Sequence, residues 1–208
     1  STLSSSSAAS DVYKRQVADN ILKILIKDSK LEKAYVNNGG DVSFYLTENQ
    51  TVKSSLASIP NIIAEINYKD KSRGIATSGW RGRSFSLGIA DSVTVLADNA
   101  AMADAAATMI ANSVNIKNHP LIIKRPAEEI YEDSDLKNLM VTVEVGDLKQ
   151  SEIEDALRNG NEVGKTYLEN GLINSALIEL HNCFCIVQKE STNLNFINKS
   201  SLKKINYV

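Results

Sequence analysis

The chain has 208 residues, a length that suits one domain with at most a small appendage. Hydrophobic residues make up 43% and charged residues 23%, ordinary for a globular protein. The formal charge of −2 argues against a protein built to bind nucleic-acid backbones, and no run of 18 apolar residues offers a membrane span.

Ser1-Thr-Leu-Ser-Ser-Ser-Ser-Ala-Ala-Ser10 is of low complexity, with almost nothing apolar to bury. It lacks the basic start and apolar centre of a signal peptide, so a cytoplasmic location is expected. It looks like translated linker sequence. Residues 1–16 are therefore expected to be non-native and to make few core contacts, with the native N-terminal part missing. From Val17 to about Lys30, Val17, Ile21, Ile24 and Leu25 fall at helical spacing. Two strands follow, Lys33 to Val36 and Val42 to Leu46. Asn37-Asn-Gly-Gly-Asp41 between them tolerates positive φ and makes a tight turn. Thr47 to Ser58 reads as a polar loop and Asn61 to Tyr68 as a strand. Lys69 to Gly74 is a charged turn. Short buried strands are expected at Gly74 to Thr77 and Ser92 to Leu96.

Asn99 to about Val114 is a helix of small girth, with Ala100, Ala101, Ala103, Ala105, Ala106, Ala107 and Ala111. Such a cylinder admits close approach of another backbone or a ligand. Pro120 to Glu132 reads as irregular and Val141 to Val145 as a strand. Ser151 to Asn170 is a second helix, with Ser151 and Glu154 spaced as a capping box and Gly171 placed for a left-handed cap. Leu172 to Leu180 and Cys183 to Val187 read as β. The Lys/Asn-rich tail, residues 191–208, is expected to pack loosely. The fold class expected is α+β, a mixed or antiparallel sheet with packed helices.

Several groups could carry chemistry. Asp104 and Thr108 lie four apart on the alanine-rich helix and share a face. Carboxylate and hydroxyl are hard oxygen donors of the kind Mg²⁺ takes, with water and phosphate completing its shell. They equally fit an acid near a helix N-terminus and a threonine bonding the i−4 carbonyl. Thr77-Ser78-Gly79 after a buried strand could cradle a phosphate, or simply turn the chain. Arg81 and Arg83 alternate around Gly82, with Ser84 beside them, and could clamp phosphate; they could also be solvated surface residues. Gly39, Gly40 and Asp41 could lie against a nucleotide, or form a plain hairpin turn. His119 and His181 sit beside no nucleophile motif. Cys183 and Cys185 lack the further Cys or His that a zinc site needs, and read as reduced thiols of one strand. No Walker-type loop, G-x-S-x-G or H-E-x-x-H occurs.

The order Asn-Gly-Gly-Asp41, Ala76-Thr-Ser-Gly79, Ser92-Val-Thr-Val95, then Ala103-Asp104 with Thr108 resembles the ApbE-like superfamily. Its characterised members are FAD:protein FMN transferases. The stretch Gly74 to Val114, with Ser78-Gly-Trp-Arg-Gly-Arg-Ser-Phe-Ser-Leu-Gly88, looks closer to an uncharacterised ApbE-like branch. The resemblance implies that Asp104 and Thr108 bind Mg²⁺, which engages the pyrophosphate of FAD. It implies that Gly39, Gly40, Asp41, Thr77, Ser78 and Gly79 line the flavin-nucleotide pocket. The chain departs from the transferases in two places: where they carry a His-Ile-Ile-Asp-Pro-type segment, Ser84-Phe-Ser-Leu-Gly-Ile-Ala-Asp91 has no histidine, and the Asp-x-Gly…Lys-Gly segment expected upstream of Val17-Ala-Asp19 is absent, as the expected truncation would explain. The expected ligand is FAD or a related phosphorylated nucleotide with Mg²⁺, with flavin transfer or pyrophosphate hydrolysis as the chemistry. The rival is a non-catalytic flavin or nucleotide carrier or sensor. A third reading is a subunit, homo-oligomers included, whose site a partner completes.

Overall fold

The computed structural model describes residues 5–55, 62–189 and 203–207, the first eleven of these by backbone alone. In chain order the elements are α1 (Ser5–Ile26), β1 (Lys33–Asn38), β2 (Asp41–Leu46), β3 (Thr51–Ser55), β4 (Ile63–Asn67), β5 (Gly74–Ser78) and β6 (Ser92–Ala97). Then come α2 (Ala100–Ser113), β7 (Ile122–Pro126), α3 (Ala127–Ile130), β8 (Met140–Val145), α4 (Gln150–Glu169), β9 (Ser175–Leu180), β10 (Cys183–Gln188) and β11 (Lys203–Lys204). Seven strands form one sheet in the order β1-β2-β5-β6-β9-β10-β11. All its pairings are antiparallel except β10 with β11, so the sheet is mixed and the fold is α+β.

Both faces of the sheet are buried, which is why its central strands are apolar throughout rather than alternating. On one face Ala76, Val93, Val95, Ala176, Ile178, Cys185 and Val187 pack against α2 and α4. On the other, Phe44, Leu46, Ile75, Leu96, Leu177 and Phe184 pack with Ile62, Ala64 and Ile66, the last two from β4 of the two-stranded β3–β4 sheet. The alanines of α2 let it sit close on the sheet. A Cβ on Gly74 of β5 would come 2.0 Å from the Asn99 carbonyl carbon, so the strand start and helix start touch backbone to backbone. Asn99 caps α2 by accepting from Met102 N at 2.8 Å. Asp19 of α1 accepts from Ala100 N and Ala101 N at 3.0 Å each, so two carboxylate oxygens face the positive end of the helix.

The structure corrects several element expectations. The backbone of α1 is helical from Ser5, well before Val17, while the expectation that residues 1–16 make few core contacts falls mainly on side chains outside the described set. The polar segment after Thr47 contains β3, paired along its length with β4; residues 56–58 of the expected loop, and 61 of the expected strand, lie outside the described residues. The segment from Pro120 contains β7, paired with β8, and the short α3. Helix α4 starts at Gln150, and its cap is Glu152 accepting from Lys149 N at 2.7 Å, not the Ser151–Glu154 pair. The helix runs unbroken through Gly160 and Gly164, where a Cβ would run into Val114 and Val187, so the glycines allow close packing of α4 on its neighbours. Gly171 takes the left-handed conformation expected of it, at φ +70°. The end of the tail is packed: Lys203 and Lys204 extend the sheet, Ile205 and Tyr207 lie on the core, and Tyr207 Oη donates to the Glu154 carbonyl at 2.5 Å. Residues 191–202 lie outside the described residues.

Candidate functional site

Strand register decides which sequence segments meet. Val42 pairs with Ile75, Ser78 with Val93 and Ser92 with Glu179. The β1–β2 turn, the loop after β5, the start of β6 and the β9–β10 turn therefore collect at one end of the sheet. A cleft of about 700 Å³ opens there. Four of the predicted residues line it: Thr77, Ser78, Gly79 and Arg81. Asp91, Ser92, Glu179 and His181 line it as well, and sequence reasoning did not single these out as its walls.

Asp91 organises this end. Only 8% exposed, it accepts from Trp80 Nε1 at 3.0 Å and from His181 N at 2.7 Å, and pairs with Arg81 Nε at 2.7 Å. The Arg81 guanidinium also lies 5.1 Å from the centre of the Trp80 ring, a cation–π distance. Arg81 is thus aimed by two neighbours although its side chain is 61% exposed. Gly79 has φ +156°, and a Cβ there would come 2.5 Å from the Asp91 carbonyl oxygen, so glycine is required for the loop to close. Exposed Thr77 and buried Thr94 share a 2.8 Å hydroxyl contact, and Ser92 Oγ donates to Glu179 Oε2 at 2.9 Å. Glu179 is a 6% exposed carboxylate on a sheet face.

The remaining candidates fall elsewhere. Arg83 donates from Nη2 to the Gly39 carbonyl, closing the β1–β2 turn rather than facing the cleft. Gly39 and Gly40 have φ of +68° and +111°, the conformations a tight hairpin turn demands. They are exposed, as is Ser84, and Asp41 is half-buried; none of the four lines the cleft. Asp104 and Thr108 are half-buried on α2 and also lie outside the cleft lining. Their oxygen donors suit Mg²⁺ completed by water and phosphate. Among the described residues no group of three or more His, Cys, Asp and Glu is placed to hold a metal.

The interval without a histidine is firmly held. Leu87 N donates to Asn112 Oδ1 at 2.9 Å, Ile89 N to Val114 O at 2.8 Å and Thr142 N to Ser86 O at 2.9 Å. Lys124 Nζ donates to Leu87 O at 2.6 Å, and partial burial holds that amine below its ordinary pKa. His119 has a structural role: Nε2 meets Glu152 Oε1 at 3.2 Å and Nδ1 accepts from Leu121 N at 3.2 Å. Cys183 and Cys185 are buried free thiols of β10, as their spacing predicted.

The fold and site thus define an α+β domain with a polar cleft at one end of a mixed sheet. The family model described as "AbpE bacteria" matches residues 16–191, and the chain belongs to that family. Similar curated proteins are UPF0280 proteins of archaea. That of Methanocaldococcus jannaschii is 31% identical over 134 residues, 61% of this chain and 54% of its own length. That of Methanococcoides burtonii is 39% identical over 93 residues, 43% of this chain and 39% of its own. That of Methanothermobacter thermautotrophicus is 41% identical over 85 residues, 38% of this chain and 32% of its own. The chain matches about half the length of the first of these relatives and less of the other two. No solved structure matches it. No helix among the described residues is long and apolar enough to cross a membrane.

Proposed function

We propose that this protein binds a phosphorylated nucleotide, FAD or a relative of it, at the end of the sheet formed by Thr77, Ser78, Gly79 and Arg81, with Mg²⁺ held beside it by residues of α2. The observation that carries this reading is Arg81 set into the cleft by Asp91 and Trp80. Asp91 engages Nε, which leaves the two Nη groups of the fork for a phosphate. The cleft's own charge supports a need for metal. Asp91, Asp147 and Glu179 set three carboxylates against one guanidinium, so a bare anion would be repelled. In this reading Asp104 and Thr108 supply the metal's protein oxygens from α2, outside the cleft lining, so the metal would meet a part of the ligand that extends beyond the cleft. Mg²⁺, when bound, would neutralise phosphate charge and so favour attack at a pyrophosphate.

A second reading, a nucleotide carrier or sensor without chemistry, is favoured by the firmly anchored, histidine-free interval 84–91. Calorimetric titration of FAD, FMN and ATP, first with Mg²⁺ and then with EDTA, tests the binding. Tightening by at least about tenfold with Mg²⁺, and loss of that gain in Asp104→Ala, is the expected result. Equal binding by Asp104→Ala removes the metal assignment, and no binding by any probe removes the ligand assignment. Conversion of FAD to FMN and AMP then separates enzyme from carrier.

A further inference from the structure

We propose that Nε2 of His181 is a ligand-contacting atom of the cleft, donating its N–H to a phosphoryl oxygen beside Arg81. This inference rests on the phosphorylated-ligand reading above. His181 and Asn182 form the two-residue turn between β9 and β10, where Leu180 pairs with Cys183. Both have left-handed φ, +47° and +60°, as the favoured hairpin turn requires, and His and Asn tolerate that region better than most residues. Asp91 Oδ2 accepts from His181 N at 2.7 Å while Oδ1 holds Arg81 Nε at 2.7 Å. One buried carboxylate therefore fixes both a guanidinium and the turn that carries an imidazole, on the wall of the same cleft.

The imidazole has a hydrogen bond to make. His181 Nε2 has no hydrogen-bond partner among the described residues and is covered as the side chain stands, so a ligand in the cleft would meet it through a turn of the imidazole. A buried polar nitrogen left unpaired carries its full desolvation penalty, so such atoms are normally met by protein, water or ligand. His119 shows the contrast: both of its ring nitrogens are satisfied within the protein. With Arg81 set at the same cleft by the same carboxylate, an acceptor bearing several oxygens, such as a phosphate, could be shared by the two donors.

The test uses the full chain with FAD, ATP and inorganic pyrophosphate as probes, each with Mg²⁺. Affinities are measured for the unmodified protein, His181→Gln, which keeps a side-chain N–H, and His181→Leu, which keeps none. Imidazole ¹⁵N resonances are followed in the unmodified protein, where His119 is the only other histidine and serves as the internal control. The expected result is a weakening of about tenfold or more in His181→Leu and of about threefold or less in His181→Gln, with the His181 Nε2 resonance moving at saturation and that of His119 still. Unchanged affinity in His181→Leu, or an unmoved His181 resonance with a probe bound, overturns the proposal and leaves the ligand reading standing; the nitrogen is then met by water. Should His181→Leu fail to fold, the spectrum and His181→Gln decide alone. Binding of no probe to the unmodified protein overturns both readings.

Discussion

Arg81 Nε meets Asp91 Oδ1 at 2.7 Å, closing the loop between β5 and β6 on itself. The two partners are unequal, since Arg81 is 61% exposed by side chain and Asp91 is 9%. An exposed guanidinium gains little from an ion pair, because water serves it almost as well. A buried carboxylate with three donors aimed at it has no such substitute. Arg81→Ala should therefore change unfolding free energy by less than about 1 kcal/mol. Asp91→Asn turns an amide N–H toward groups that donate, and should lose about 2–3 kcal/mol. Urea unfolding reads both. If Arg81→Ala proves the more damaging to stability, Asp91 does not organise the loop as described. Ligand affinity should fall in both variants, because Arg81→Ala removes the guanidinium and Asp91→Asn releases it.

A second relationship joins the first helix to the domain. Asp19 is half-buried and accepts from the first two N–H groups of α2 at 3.0 Å each. Helix N-terminal donors are otherwise orphaned, and a carboxylate there also meets the helix dipole. Asp19→Ala should cost about 1–2 kcal/mol of stability. Asp19→Asn should recover part of this, since its amide oxygen still accepts one bond. Equal stability of all three proteins in urea would mean that α1 is not tied to α2 through this contact.

Some parts of this structure were readable in sequence and others were not, for physical reasons. The β1–β2 hairpin, β5, β6 and α2 carry signals in their own residues: Asn and Gly at the turn, apolar runs, and a stretch of alanine. Strand β3 does not. Thr51-Val-Lys-Ser-Ser55 is polar, and it is a strand because Ile66 and Ala64 of its partner are buried beneath it. Ser151 and Glu154 had capping-box spacing, yet Glu152 reaches Lys149 N first, and the helix starts earlier. In the site, Thr77, Ser78, Gly79 and Arg81 were found because they are contiguous. Asp91, Glu179 and His181 come together only when β6 pairs with β9, across about ninety residues of chain. One signal was available: Glu179 interrupts the apolar run Ala176-Leu-Ile-Glu-Leu180, and a carboxylate kept inside such a run marks a polar site.

Two glycines should respond oppositely to the same substitution. A Cβ at Gly88 would lie 2.0 Å from the Ala111 carbonyl oxygen, a backbone atom that cannot swing away. Gly171 has φ +70° with nothing within 4 Å of its Cβ position. Gly88→Ala should cost more than about 3 kcal/mol, through forced separation of the loop from the end of α2. Gly171→Ala should cost only about 1 kcal/mol, the penalty of left-handed backbone for an L side chain. A thermal or urea comparison of the two single variants checks the ranking. A Gly88→Ala protein as stable as Gly171→Ala would show that the loop does not pack on α2 at that distance.

The pH dependence of stability in the alkaline range should be set in large part by Cys185. Its thiol is buried against the helices, and burial pushes its pKa from 9.0 up to about 12. Burial also raises Tyr207, whose hydroxyl donates to the Glu154 carbonyl. Below pH 9 the thiol is protonated in both folded and unfolded chains, and its contribution is fully present. Above pH 9 the unfolded chain releases the proton while the folded chain keeps it, so stability falls as pH rises toward 12. Three units at about 1.4 kcal/mol each set a limit of about 4 kcal/mol over the whole window. Between pH 8 and pH 10.5 the unmodified protein should lose about half of that relative to Cys185→Ala, which keeps the small apolar group and lacks the proton. Urea midpoints for the two proteins across that range read the difference directly. Parallel pH profiles would mean that water reaches the thiol and that β10 is less tightly covered than its packing against α4 implies.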